Sequence, residues 1–333
     1  MKKQLLSIAA ILTLASCTIT GDHFSDQNGH LGEPANYKQF QSVLKQSKLQ
    51  ISDPNGKRSN KSSYAIDGDF SGIVNEYFYV DKKTEALVFK MKNDHLRNEL
   101  RLQENFPVNS PNNFYTLSAE IEVIDPVESM KNTDIKQNEI TLIQVHNKGI
   151  YDDGTGSIPH PLLRLVWKLD KDGIKGHFWA IIKNNAVICK GDDGKDNKDK
   201  PICEYNTAYK LFDLGKAPIG KLTAFDVTVG NNQLAIKVNG QLIVNHNINY
   251  WSELLSYFKA GVYNQYSNGM TEVHFYKLDY NEASTITEPV SSNEPSVNNK
   301  PVIINKPSNS IEAKIDKNEE EIDEKWDEWD DWD

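Results

Sequence analysis

From about residue 46 to 281 apolar and polar residues take turns along the chain. Phe225, Val227 and Val229 occupy every second place, Asn231-Asn232 interrupts, and Leu234, Ile236 and Val238 resume. Asn239-Gly240 interrupts again before Leu242 and Val244. Period two marks a strand with one buried face, and two-residue Asn-Asn and Asn-Gly breaks suit the tight turns of successive hairpins. The same alternation runs through 114–123, 140–146, 163–169 and 272–280. The only helix expected is short, from Asn36 to Lys45, with Tyr37, Phe40, Val43 and Leu44 on one side. Many short strands over about 240 residues predict an all-β fold, a jelly-roll sandwich of two antiparallel sheets.

Three of these strands carry an unusual polar face. In Tyr257-Phe-Lys-Ala-Gly-Val-Tyr-Asn-Gln265, Tyr257, Lys259, Gly261, Tyr263 and Gln265 share one face, and Phe258, Ala260 and Val262 share the other. The glycine leaves room for something bulky to approach the backbone. Arg97, Glu99 and Arg101 stand together with Leu100 and Leu102 behind them, and Gln144 and His146 stand together with Ile143 and Val145 behind. Taken singly, His146 reads as a structural histidine, Tyr263 as a rim tyrosine, and Arg97 with Glu99 as a surface ion pair worth little. Together they read as one polar surface suited to sugar binding and proton transfer.

Composition refines the ends of the chain more than its middle. The 333 residues carry a formal net charge of -10. Residues 312–333 hold 12 acids and 3 lysines, so the body is close to neutral and need not repel a polyanion. Nothing in it suggests a nucleic-acid partner. Lys2 and Lys3 precede an apolar run from Leu5 to Ala15, too short to span a bilayer, and Leu-Ala-Ser-Cys17 closes it. That pattern is similar to the lipobox of bacterial lipoproteins. It implies a signal peptide over 1–16, acylation of Cys17, a membrane anchor, and an envelope location, most simply the outer membrane of a Gram-negative cell. Cys189 and Cys203 remain as an even pair, read as a disulfide in an exported protein. They would staple an Asp-rich loop whose spacing does not match a calcium site.

Residues 17–40 read as a tether, 41–281 as the folded domain and 282–311 as a Pro-, Ser- and Asn-rich linker. The segment 312–333 ends with Trp326, Trp329 and Trp332 at every third place among acids. Tryptophan is costly to expose, so a docking peptide with an unidentified partner is one reading; an acidic solubilising end is the other.

Arg-Asn-Glu-Leu-Arg at 97–101, Gln-Val-His at 144–146 and the nonapeptide at 257–265 resemble the three signature strands of alginate lyases of polysaccharide lyase family 7, over roughly residues 45 to 281. Two positions depart from the common pattern: Asn98, on the core-facing parity, replaces the usual Thr or Ser, and Val145 replaces the Ile of many members. The second change points toward mannuronate-rich substrate. The resemblance implies a concave groove that binds a 1,4-linked polyuronate and cleaves it by β-elimination, without metal or other cofactor, in a monomer. Such a reaction removes the C5 proton beside the carboxylate and expels O4, so the site must neutralise the carboxylate, accept a proton and supply one. By resemblance Arg97 and Gln144 neutralise, His146 is the base and Tyr263 the acid, or both for mannuronate. Arg101, Lys259 and Gln265 bind neighbouring sugars, and Glu99 orients the arginines. Two readings compete with alginate: a glucuronan lyase, and a carbohydrate-binding lipoprotein that has lost turnover. The loops 107–113 and 147–161 would decide how far the groove closes.

Overall fold

The computed structural model describes residues 29–56, 61–131, 138–189, 194–218, 220–266 and 269–284. The expected signal peptide, Cys17, most of the expected tether, nearly all of the expected linker and the acidic tryptophan segment lie outside the described residues.

Among the described residues the chain forms β1 (Leu31–Gly32), β2 (Ser47–Ser52), β3 (Lys61–Tyr64), β4 (Phe78–Asp81), β5 (Leu87–Lys92), β6 (Arg97–Leu102), β7 (Phe106–Pro107), β8 (Phe114–Ile124) and β9 (Glu139–Gly149). It continues with β10 (Leu163–Lys171), β11 (Ile174–Lys183), β12 (Tyr209–Lys216), β13 (Thr223–Gly230), β14 (Gln233–Val238), β15 (Gln241–Asn247), β16 (Leu255–Gln265) and β17 (Met270–Ala283). One sheet runs β1-β4-β5-β17-β8-β13-β14-β15. The other runs β12-β11-β10-β9-β16-β6-β2-β3, with β7 beside β16. Every ladder is antiparallel. The expected jelly-roll sandwich is therefore the fold.

The hairpins turn where the sequence said they would. Asn231, Asn232, Asn239 and Gly240 all have positive φ, which two-residue hairpin loops require and which Asn and Gly tolerate. The short helix is a different matter. Pro34–Asn36 and Lys38–Phe40 are 3-10 turns, Tyr37 between them is extended, and only Gln41–Leu44 is α-helical. Burying Phe40, Val43 and Leu44 was enough to place the segment without a continuous helix. Since β1 pairs with β4, the folded body begins inside the stretch assigned to the tether.

Apolar residues fill the space between the sheets. Phe89 lies 5.3 Å from both Phe78 and Phe275, and Phe106 stacks on Tyr115 and meets Phe258. Two fully buried amides also cross this space. Asn98 of β6 donates through Nδ2 to the carbonyls of Tyr77 (2.7 Å) and Lys90 (3.2 Å). Asn264 of β16 donates to Met91 (2.9 Å) and Asn93 (3.2 Å). Both amides thus tie the second sheet to β5 and the segments flanking it, directly behind the polar face. Gly261 faces the other way, and the space beside it is already taken. A Cβ there would lie 2.3 Å from the Asn98 carbonyl oxygen, and its φ is +148°. The glycine admits the neighbouring strand β6, not a ligand.

Replacing Asn98 by Ala removes two hydrogen bonds and opens a void in the core. We expect a loss of about 2–3 kcal/mol, read as a lower urea midpoint at unchanged slope.

Candidate active site

Directly opposed residues in a ladder share a face, so the register shows which side chains meet. One row crosses five strands of the second sheet as Lys48, Arg101, Lys259, Gln144 and Arg164. Beside it lie Gln50, Glu99 and Gly261, then Arg97, Tyr263, Thr141, Val166 and Trp179. On the other side of the first row, Tyr257 faces His146. The residues expected to share a site on three separate strands are neighbours on one face, opposite the core residues Leu100, Val145 and Phe258.

Glu99 is the centre of this face and has no exposed surface. Its Oε1 accepts a hydrogen bond from Gln144 Nε2 at 2.5 Å. Its Oε2 lies 3.8 Å from Arg97 Nη1 and 3.7 Å from Lys259 Nζ. A carboxylate that far from water must be matched by cations and donors nearby. It therefore draws Arg97, Lys259 and Gln144, which come from three different strands, to one point. The Arg97 guanidinium sits 4.6 Å from the centre of the Tyr263 ring. The His95 ring meets Tyr263 edge-on at 6.0 Å, and its backbone N–H donates to the Asn264 carbonyl. His95 lacked metal-ligand spacing and did not stand out in the sequence, although it shares the parity of Arg97.

His146 stacks on Tyr257 at 5.4 Å, and Arg101 covers Tyr257 at 3.9 Å. The Asn147 backbone N–H donates to His146 Nδ1 at 2.9 Å. The Asn147 carbonyl also lies 3.2 Å from Nδ1, but the shorter contact involves an amide that can only donate. A neutral His146 then keeps its proton on Nε2. Arg101 donates to the carbonyls of Leu102 and Gln103 and to Asn105 Oδ1, and Asn105 donates in turn to Asp152. This chain of contacts links the end of β6 to the 147–161 loop. Asn147 folds that loop back by pairing with Ile158 through both its amide donor and its acceptor.

These side chains bring two cations and an amide to one point, flanked by a phenol and an imidazole. A family model for alginate lyase matches residues 44–282. The chain belongs to the alginate lyase family. An alginate lyase of Photobacterium sp. (strain ATCC 43367) is 59% identical over 280 residues, covering 84% of this chain and 98% of the relative. The solved structure of alginate lyase AlyC3 is 66% identical with a TM-score of 0.77, over 78% of this chain and 98% of that one. Its complex with dimannuronate matches equally well, at 65% identity and TM-score 0.77 over 79% and 98%. Alginate lyase A1-II' of polysaccharide lyase family 7 shares the fold at 21% identity and TM-score 0.51, over 74% and 98%.

Part of the lyase's polar face could not be read from strand alternation. Counting back from Gln144 by twos places Leu142 and Ile140 beside it, yet both are in the core. Register shifts between Leu165 and Val166 and between Ala260 and Tyr263 change the parity of β9. Thr141 then pairs with Tyr263, and Glu139 with Gln265. Glu139 meets Arg164 Nη1 at 2.6 Å and also pairs with Lys168. Burial pushes its carboxyl upward, but the Lys168 and Arg164 charges outweigh that and hold it below the usual range. Arg164 also donates to Gln265 Oε1, so Gln265, expected to bind sugar, stands inside this ion-pair cluster.

The disulfide forms as expected between Cys189 and Cys203, with Cα atoms 5.4 Å apart. Residues 190–193 of the Asp-rich loop lie outside the described residues. Among the described residues no three metal-ligating side chains cluster. Trp179, Tyr205 and Tyr209 line a hollow of about 260 Å³ near the β11–β12 edge of the sheet. Tyr205 and Tyr209 are close in sequence, but Trp179 joins them only through the pairing of β11 with β12, which the sequence does not show.

Lys183, at the end of β11 and opposite Tyr209, is 1% exposed. Its Nζ donates to Asn185 Oδ1 at 2.6 Å. Burial pushes it down to about 8. An unfolded lysine titrates near ~10.4, so between these values the unfolded chain binds more protons and stability rises with pH. Below about 8 both states are charged, and the folded state carries the full cost of the buried ammonium. Asn185 Oδ1 keeps the Val187 N–H as a partner without Lys183. Lys183→Met should therefore gain up to about 3 kcal/mol over the parent at pH 7. That gain should fade as pH climbs from 8 past 10, as followed by thermal unfolding across the range.

Proposed function

We propose that this alginate lyase cuts mannuronate-rich alginate by a tyrosine-driven β-elimination, and that a lipid on Cys17 holds it at the cell envelope. The observation that carries the first part is the stacking of Arg97 over Tyr263, beside Gln144 and Lys259. Arg97 and Gln144 bind the sugar carboxylate and offset the charge that builds as the C5 proton leaves. A free phenol, with a pKa of about 10, is a poor base near neutrality. The guanidinium over the Tyr263 ring offsets negative charge on the phenol oxygen during proton transfer. Tyr263 takes the C5 proton, the C4–C5 double bond forms, the C4–O4 bond breaks, and the same oxygen returns the proton to O4. His146, with its proton on Nε2, donates to the substrate, which leaves the base role to Tyr263 for mannuronate. Glu99 holds the neutralising groups in register. Arg101 approaches a neighbouring sugar, whereas Lys259, expected to do the same, is buried beside Glu99 and belongs to the charge cluster.

The preference for mannuronate rests on this single-residue acid–base arrangement, on Val145 in the second motif, and on the dimannuronate bound by the 65% identical AlyC3. Tyr263→Phe keeps the ring under Arg97 and removes only the hydroxyl. Turnover should fall about 10³-fold or more, while binding of polymannuronate by calorimetry stays within about threefold. Product is followed by the ultraviolet absorbance of the unsaturated end, on polymannuronate, polyguluronate and glucuronan in parallel. Faster cleavage of polyguluronate or glucuronan would sink the substrate assignment, and substantial activity in Tyr263→Phe would sink the role of the phenol.

The anchor is supported by Lys2-Lys3, the apolar run and Cys17, an arrangement suited to export and acylation in a Gram-negative outer membrane. Expressed in such a host, the parent should incorporate labelled palmitate and enter the detergent phase on partitioning. Cys17→Ala should do neither; equal partitioning of the two would refute the anchor.

A further inference from the structure

A cavity of about 450 Å³ lies between the two sheets at the end of the sandwich where β8 finishes and β10 turns into β11. Its size and apolar walls are those of a ligand pocket rather than a packing defect. Ile121 and Val123 wall it from the first sheet, and Trp167, Leu169 and Phe178 from the second. Lys175, Lys216 and Lys221 stand exposed around its mouth. Among the described residues none of these three ammonium groups has an ion-pair partner. Asp170 also lines the cavity and already accepts the Gly173 N–H. The site is thus an apolar pocket with a basic rim. It is built from core-facing side chains, on the side of the second sheet away from the lyase's polar face.

The chain itself contains a segment of complementary chemistry. Residues 322–333 hold seven acids, one lysine and three tryptophans, Trp326, Trp329 and Trp332. A tryptophan gains from leaving water only if an apolar site receives it, and acids flanking it favour a rim of lysines. Reach permits the match. β17 ends at Ala283 opposite Phe114, at the start of β8, and the cavity lies near Val123 toward its other end. That separation is about 30 Å at roughly 3.3 Å per residue. The 41 residues from 285 to 325 connect the two, and a coil of that length averages about 35 Å end to end.

We propose that the acidic tryptophan segment docks into this inter-sheet cavity of its own chain, one indole packing against Val123 and Leu169 while the acids meet Lys175, Lys216 and Lys221. Tethering raises the local concentration of the segment to about 1 mM. A contact with an intrinsic Kd of about 100 µM is then closed roughly nine-tenths of the time. The docked segment shields the open end of the sandwich.

Hydrogen exchange on the full chain tests this. Amides at the end of β8, in the β10–β11 turn and around Lys216–Pro218 should exchange about tenfold slower in the parent than in the Trp326→Ala/Trp329→Ala/Trp332→Ala variant. Lys216→Glu/Lys221→Glu, which alters only exposed side chains, should lose the same protection. A synthetic peptide of residues 322–333 should restore it to the tryptophan variant with a Kd of about 100 µM, weakened by 1 M salt. Protection that survives both variants, or that appears over β16 instead, overturns the proposal. So does protection that appears only as the protein dimerises in sedimentation, because the segment would then belong to a second copy.

Discussion

A carboxylate with no exposed surface organises the polar face of this lyase. Burying a carboxylate is costly unless cations and donors surround it, and Arg97, Lys259 and Gln144 surround Glu99 from three adjacent strands. Each of those groups is drawn toward Glu99, so that two cations lie close to one carboxylate. The position of the Tyr263 phenol follows from the same constraint, since Arg97 is held above its ring.

The back of the sheet is as specialised as the front. Asn98 and Asn264 reach across the core to carbonyls of and beside β5, on strands whose opposite faces carry Arg97 and Tyr263. An apolar residue would fill the same space without directionality, whereas an amide with two fixed acceptors sets the sliding position of one sheet over the other. Gly261 works with them, admitting the backbone of β6 close enough for Glu99 to sit beside β16. Sub-ångström placement of a charge cluster needs such rigid backing.

The two ends of the chain's chemistry obey different physics. The polar face is a surface of buried charges, hydrogen-bond donors and phenols. The open end of the sandwich is an apolar hollow with basic groups only around its mouth. A polyuronate has no large apolar group to fill such a hollow, while an acidic segment bearing tryptophans does.

The sequence by itself determined the all-β class, the hairpins at Asn231-Asn232 and Asn239-Gly240, the disulfide pair, and most of the polar face. It could do so because alternation in β6 and β16 is unbroken, so parity alone sorts Arg97, Glu99, Arg101, Lys259 and Tyr263 from their apolar partners. Alternation failed in β9, where a register shift moved Glu139 and Thr141 to the outer face and Leu142 into the core. A bulge is decided by the neighbouring strands and leaves little mark in its own residues. The helix expected at 36–45 dissolved into turns because burial of Phe40, Val43 and Leu44 mattered more than period. His95, Trp179, Tyr209, Arg164 and Lys168 gained their places only in three dimensions, each being unremarkable until a strand from elsewhere in the chain supplied its neighbour. Residue types within a strand are local information; which strand lies beside it, and in what register, is not.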